Sequence, residues 1–513
     1  MKKGIYLFAF LFQCNFLFAQ IPTFSQDIAP IIFNHCTNCH RPGNIAPFAL
    51  TNYDEVSSAA SSISYVVNNK LMPPWPPDPQ FRHFINERVL SITEIQAIND
   101  WISFGMPEGD TSLLPPLPNF IDGSEIGIPD VQFELPHYVL NSSTDEYRCF
   151  VLHSQFAQDV FIKSIEFIPG NELIDHHAVI FWDTTGVCQQ LDDQTIEPGY
   201  NSFSSFAGTD SAKKIAIWVP GSPPLILPQN FGFLIPANAD IVVQMHYPSG
   251  SAGLIDSSKL NIFFQQGIQI RTVQLKSIIN ITNLVDGPLI IPADSILTFH
   301  AQSTFPINTS LIAVFPHMHL IGSNTLTYAV QPNGDTMNLI SVPNWNFHWQ
   351  GFYTYEKPVV VNQNAAIYSE FTYNNTSSNS ANPNFPPQDV SYGNGSENEM
   401  MVTAFLIVPY KPGDENISLN SKDISSDKFK NEISIYPNPG NGLFILNFNL
   451  KENVSISVFN VEGIVVKKIF DNLYFGNENH FQICDAHDLP SGIYFLKIHS
   501  NEINIVKRLV IIH

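Results

Sequence analysis

The chain has 513 residues, 44% of them hydrophobic and only 14% charged, with a formal net charge of −22. That length exceeds what one hydrophobic core serves and implies three or four domains. The acidic balance excludes nucleic acid and anionic lipid surfaces as partners, and 40 Phe, 38 Pro and few long helical periods predict a mainly β protein.

Residues 1–19 carry Lys2 and Lys3, a mostly apolar run from Ile5 to Phe18, and Ala19 before Gln20. This is the pattern of a secretory signal peptide cleaved after Ala19. Cys14 lies inside it, with Gln13 where a lipoprotein acceptor needs a small residue. No later stretch reaches about 18 uninterrupted apolar residues, so no transmembrane segment is expected in the mature protein.

Residues 20–112 hold the helical patterns. A short helix follows Ser25, a second is expected over Tyr53–Asn69, and a third opens at the capping box Ser91-Ile92-Thr93-Glu94. The third places Ile92, Ile95, Ile98, Trp101 and Ile102 on one face and stops at Gly105. The first helix leads into Cys36-Thr37-Asn38-Cys39-His40. Two thiols at this spacing, with a histidine directly after, supply the thioether links and the iron ligand of a c-type haem. A structural zinc site would need a second ligand pair nearby, and none exists. Met72, in the proline-stiffened MPPWPP, is the expected sixth ligand; His35 and His83 compete for that role, and Met106 is expected at the surface. The stretches HCTNCHRPGNIAPFAL, MPPW and NERVLSITEIQAINDWISFGMPEGD resemble the small class-I-like cytochrome c domains of bacterial multidomain proteins. The resemblance implies an electron carrier, whose histidine–methionine ligation would raise its potential toward that of copper.

Residues 113–130, with Pro115, Pro116 and Pro118, read as a linker. From 131 to 412 the pattern turns to short β runs such as VFIKSIEFI, DIVVQMHY and SLIAVF, punctuated by Gly, Pro, Asn and Asp. Across them lie His176-His177 in IDHHAVIFW, His246 in VVQMHYP, His317-Met318-His319 in FPHMHLIG, and Met400 in ENEMMVTAF. Five imidazoles and one thioether favour copper over magnesium or calcium. On a strand, His317 and His319 point to one face, and a thioether from Met400, read as strand too, would complete a site suited to Cu(I). His176 and His177 are adjacent and would face opposite sides of a regular strand. Sharing one metal requires an irregular strand or different ring nitrogens; otherwise one is a ligand and the other core. His246 would be their third partner, although a lone histidine among Val242, Val243 and Met245 is more often core. Of the remaining cysteines, Cys149 and Cys188 are expected to form a disulfide in an oxidising compartment, leaving Cys484 single.

Taken in order, DEYRCFVL (145–152), the HH pair after PGNELID, QMHYPSG (244–250), HMHLIG (317–322) and NEMM (398–401) resemble the copper type II, ascorbate-dependent monooxygenases. That family includes the peptidylglycine α-hydroxylating and dopamine β-monooxygenases. The resemblance implies two jelly-roll-like β-sandwich copper domains, here 131–268 and 269–412, facing across a solvent-filled cleft. It assigns His176, His177 and His246 to an electron-relay copper, and His317, His319 and Met400 to the copper where O2 and substrate meet. The implied reaction inserts one oxygen atom into a C–H bond of a small molecule or peptide. Ascorbate or another external donor would supply electrons, here through the fused haem. Two positions depart from the peptidylglycine enzymes: their arginine two residues before the HxH pair and tyrosine four residues after the methionine are Phe315 and Ala404. No charge or phenol is left to pair a substrate carboxylate, so a neutral or hydrophobic substrate is expected.

A polar linker is expected over 413–432, then a compact all-β unit of about seven strands over 433–513. Its segments ISIYPNPGNGLFIL, VSISVFNVEGIVVKKI and LPSGIYFLKIHSNEINIVKRLVI resemble the C-terminal sorting domain of the Bacteroidetes type IX secretion system. That implies an immunoglobulin-like sandwich read by the outer-membrane export machinery, with Lys507 and Arg508 in a recognition patch. The other reading of this unit is a carbohydrate-binding or adhesive module. The whole chain is thus expected to be a multidomain, mainly β oxidoreductase, secreted or held at the cell surface after passing the periplasm. The competing class is a haem/copper electron-transfer or copper-binding protein without oxygenase activity.

Overall fold

The computed structural model describes residues 21–513 apart from 43–45, 119–123, 125, 128, 203–206, 221, 223, 266–268, 394, 420–433, 437–439, 449–452, 461–463, 475–479 and 500–503. The expected signal peptide lies outside the described residues, as does most of the 413–432 linker. Strands take 40% of the chain and helices 13%, so the mainly β expectation holds. Two compact units divide between Asn420 and Ser421.

The first unit begins with the helical segment. Phe24–Ile28 forms a wide first turn that runs into the helix Ala29–His35. The helix expected over 53–69 is two helices, Tyr53–Ser58 and Ala60–Asn68, because Ala59 leaves helical geometry at ψ 1°. Ile92–Ser103 has the predicted capping box: Glu94 N–H donates to Ser91 Oγ (3.2 Å) and Ser91 N–H to Glu94 Oε2 (2.7 Å). Its buried face is Ile98 and Trp101, while Ile92 in the first turn is exposed, contrary to the periodicity. These helices bury Phe24, Ile32, Val56, Ile63 and Trp101 in a core of their own. Met106 packs half-buried against that core, where a surface position was expected.

Four larger sheets follow. One orders Tyr200–Asn201, Glu146–His153, Asp240–Tyr247, His177–Asp183 and Lys213–Trp218. Its central strand Asp240–Tyr247 is buried along nearly its whole length, which is why DIVVQMHY reads as continuous rather than alternating. The opposing sheet is built around Lys259–Phe264 and Val160–Ile168. Next, Gln274–Ile279, Val402–Pro409, Thr309–His317 and Tyr353–Val361 form one sheet, and Ser295–Thr304, Ala366–Asn375, Gly322–Val330 and Thr336–Val342 the other. In Ala366–Asn375 exposure alternates residue by residue, as expected where one face is solvated. The two sheet pairs share one continuous core. Arg271 ties them further: it donates to both carboxylate oxygens of Asp414 (2.6 and 2.9 Å), which also accepts from Ser310 Oγ at 2.6 Å. The chain stays on this body past 413, since Leu419 is buried and its N–H donates to Glu356 O at 2.9 Å.

The expected disulfide is not formed. Cys149 and Cys188 are both buried free thiols in a cluster with Tyr200. Both interact instead with the Tyr200 side chain, whose hydroxyl donates to Ala207 O at 2.6 Å.

The second unit packs Ser434–Tyr436, Leu443–Phe448 and His480–Asp485 in one sheet and Val465–Tyr474, Asn453–Phe459, Gly492–His499 and Asn504–Ile511 in another. Phe444, Ile456, Val458, Leu496, Ile498, Leu509 and Ile511 fill its core, and Cys484 is buried there without a disulfide. Lys507 and Arg508 are exposed on the last strand. Gly442, at φ 93°, turns the chain where a Cβ would lie 2.6 Å from His487 Cα.

Candidate metal centres

Antiparallel register sets His246 opposite His177 on one side and opposite Tyr147 on the other, so the three lie in a row across one sheet. The strand begins at His177, and His176 stands just before it, its N–H donating to His246 O at 3.1 Å. Leaving the pleat frees His176 to turn its ring toward its neighbour. All three present Nδ1: His176 and His246 at 3.1 Å, His177 and His246 at 3.3 Å, His176 and His177 at 3.4 Å. A point equidistant from three atoms so spaced is about 1.9 Å from each, near the usual metal–imidazole distance of about 2.0 Å. Three lone pairs aimed at one point repel unless a cation sits among them. Among the described residues, this is the group of three or more His, Cys, Asp or Glu side chains able to hold a metal.

The surroundings keep His176 and His177 neutral and orient His246. Burial and the neighbouring imidazoles drive the His176 pKa down to about 3 and that of His177 well below its ordinary value. Neutral imidazole is the ligating form. Asp145 Oδ2 lies 3.2 Å from His246 Nε2, a partner that places the proton there and leaves Nδ1 for a metal. Asp145 is itself held by Ser249 N–H (2.9 Å) and by Ser396 Oγ (3.4 Å). The Tyr147 ring stacks on His246 at 4.2 Å, nearly parallel.

His317 ends its strand and His319 lies two residues beyond, so the pair is not carried on a strand as expected; their rings are 5.0 Å apart. The intervening Met318 is fully buried in the core. Here Nδ1 is the occupied nitrogen: that of His317 meets Gln350 Oε1 at 2.6 Å and that of His319 meets Asn398 O at 3.1 Å. Both Nε2 atoms are thereby left for a ligand. Burial lowers these histidines to about 3 and about 4. Met400 also precedes its strand, which starts at Val402. The buried Glu399 carboxylate joins this segment to the histidine turn, accepting from His319 N–H (2.8 Å), Ile321 N–H (2.8 Å) and Met400 N–H (3.3 Å). Desolvation raises Glu399 to about 8 against those amide bonds. Tyr373 Oη donates to Met400 O at 2.8 Å.

The Phe347 ring lies between the two groups, 5.5 Å from His176 and 5.8 Å from His319, and His348 is 5.7 Å from His176. Phe315 and Ala404 are register partners, both buried, and the Phe315 ring stacks beside His317 at 6.1 Å.

In the helical segment, Cys36 and Cys39 form no disulfide, and His40 N–H is bonded to Cys36 O at 2.8 Å. His40 Nδ1 meets Phe48 O at 3.0 Å, leaving Nε2 free. Met72 is half-buried, preceding a cis bond to Pro73. The indole N–H of Trp75 is buried without an acceptor, and a bound group offering one would satisfy it. Sequence reasoning quoted the segments holding Asp145, Tyr147 and Glu399 without giving these residues a role. It had no signal for Gln350 or Phe347, since loop contacts leave no periodic trace.

Comparison with known proteins agrees with part of this. Residues 293–419 match the family model of the copper type II ascorbate-dependent monooxygenase C-terminal domain. Residues 434–512 match the secretion system C-terminal sorting domain. That tail marks the chain for type IX export to the cell surface or beyond, and among the described residues no helix is long and apolar enough to cross a membrane. No curated protein matches. Two solved structures are weakly similar. The infectious bursal disease virus VP2 subviral particle is 9% identical, covers 57% of this chain and 76% of its own, and has a TM-score of 0.16. The BSP domain of a biofilm-associated protein is 9% identical, covers 76% of this chain and 84% of its own, with a TM-score of 0.13. Neither bears on fold or function at such scores.

Proposed function

We propose that the chain is a secreted copper-dependent monooxygenase with two mononuclear centres. His176, His177 and His246 hold one copper through Nδ1; His317, His319 and Met400 hold the other, the histidines through Nε2. The copper ions would supply one-electron redox chemistry and O2 activation. The chain's own residues do the rest. Asp145, Gln350 and the Asn398 carbonyl fix the tautomers, Glu399 holds the second ligand set together, and Phe347 shields the space between the sets from bulk water. Phe315 and Ala404 give the substrate side an apolar wall, which suits a neutral or hydrophobic C–H donor. The observation that carries this reading is the triangle of three Nδ1 atoms at 3.1–3.4 Å.

The helical segment we read as a covalent haem carrier, with Cys36 and Cys39 as thioether positions and His40 and Met72 as axial ligands; Trp75 N–H would find its acceptor on the haem. Incubation with 18O2, a reductant and a panel of neutral hydrophobic compounds beside a peptidylglycine tests the proposal. One 18O atom in a hydroxylated neutral product is expected. Oxygen uptake by the copper-loaded protein with label only in peroxide or water would overturn it.

A further inference from the structure

The segment 75–88 joins the helical core to the second sheet pair. Asp78 N–H donates to Ser341 O and Ile85 N–H to Thr354 O, each at 2.9 Å, and Asn338 Nδ2 donates to Phe81 O at 3.1 Å. Around these bonds the rings close up: Trp75 lies 5.4 Å and Phe84 5.7 Å from Tyr353, and Arg82 caps Tyr355 at 4.8 Å. Trp75, three residues after Met72, meets the Tyr353 ring edge-on, and Arg88 feels the charges of both Cys39 and Tyr353. Tyr353 follows Phe352, whose ring is 5.0 Å from Phe315, and Phe315 stacks on His317.

Resting on the haem reading above, we propose that this contact line is the electron entry route: from the haem edge, through Trp75, Tyr353, Phe352 and Phe315, to the centre held by His317. One electron leaves ferrous haem and reduces a cupric ion, leaving ferric haem and a cuprous ion, with no proton required. The other approach is less continuous. Arg41, beside His40, acts on Glu172, four residues before His176, but that loop carries no ring contact and its Leu173 is 86% exposed. Rings in van der Waals contact, joined once by the chain itself, keep the through-space gaps for an electron short, whereas a charge pair at a solvated loop leaves a wider one.

The route can be read without turnover. Holoprotein with both centres cupric and the haem ferric is flashed anaerobically with a photogenerated flavin semiquinone, and the haem α-band is followed. The wild type should show ferrous haem decaying in a first-order phase independent of protein concentration. His246→Ala should keep that phase and His317→Ala lose it, with the remaining copper EPR signal certifying that each variant is folded. Phe352→Leu, which touches no metal ligand in this arrangement, should slow it while leaving the signals of both coppers in place. Retention in His317→Ala with loss in His246→Ala overturns the route in favour of the Arg41–Glu172 side. An unaltered rate in Phe352→Leu also overturns it. A protein with no covalent haem by pyridine haemochromogen overturns the underlying haem reading instead, and the route with it.

Discussion

His176 sits one residue before its strand and His177 is the strand's first residue, an offset that lets two neighbouring imidazoles share one centre. The sequence showed the conflict, two adjacent rings on a pleat, and the choice that follows from it, an irregular strand or different nitrogens. Only the structure shows that His176 falls before the strand and that the Nδ1 atoms of all three rings converge. Asp145 is the residue that orients His246, so Asp145→Asn should weaken copper binding at this centre by about 10- to 100-fold. Competition titration with a copper chelator, monitored by the EPR signal of this centre, measures it; unchanged affinity would show that the 3.2 Å contact orients nothing. Acid should act on all four ligands with lowered pKa. Each is neutral when folded and protonates near 6.5 when unfolded, so its contribution is complete above that value and lost as pH falls below it, toward about 3 for His176 and His317 and about 4 for His319. Copper retention and thermal stability should therefore fall together below about pH 6.5, followed by dialysis and calorimetry. A stability that stays flat to pH 4 would contradict the burial of these rings.

At the scale of elements, the second ligand set depends on a turn and a staple. Met318 points into the core between two histidines whose rings lie 5.0 Å apart, and Gly322 follows at the end of the turn. A Cβ at 322 would lie 2.8 Å from Met318 Cβ and 2.9 Å from Trp345 Cδ1. Gly322→Ala should cost about 1–3 kcal/mol by overpacking and disturb the His317/His319 copper more than the three-histidine copper. Paired denaturation and EPR spectra test this, and equal effects on both signals would contradict it. Elements were legible where periodicity was long: the capped helix at 92–103 and the strand around His246 were both anticipated. Boundaries were less so. His319 and Met400 fall just outside the strands that were to hold them, because Glu399 replaces ladder bonds with carboxylate–amide bonds there. The face of the capped helix was misjudged at Ile92, since a first-turn residue on a short helix overhangs its core. The Cys149–Cys188 pairing was inferred from cysteine arithmetic, which cannot register the Tyr200 ring.

At the scale of the molecule, two parts carry local signatures that family models also match: the second histidine segment within 293–419 and the sorting tail at 434–512. How the first module touches the sheets carries no such signature. Trp75, Phe84 and Arg88 look like ordinary loop residues until Tyr353 and Tyr355, more than 250 positions away, are placed beside them. The shared core of the two sheet pairs explains why His176 and His319 can flank one phenylalanine.

The proposed activity requires two separate copper centres built from these side chains. Copper content of the purified, reconstituted protein tests that most directly, measured by elemental analysis alongside cupric EPR. Two equivalents per chain are predicted, falling to one in His246→Ala and to one in His317→Ala, each variant losing a different EPR component. A single equivalent in the wild type, or both variants losing the same component, would contradict it.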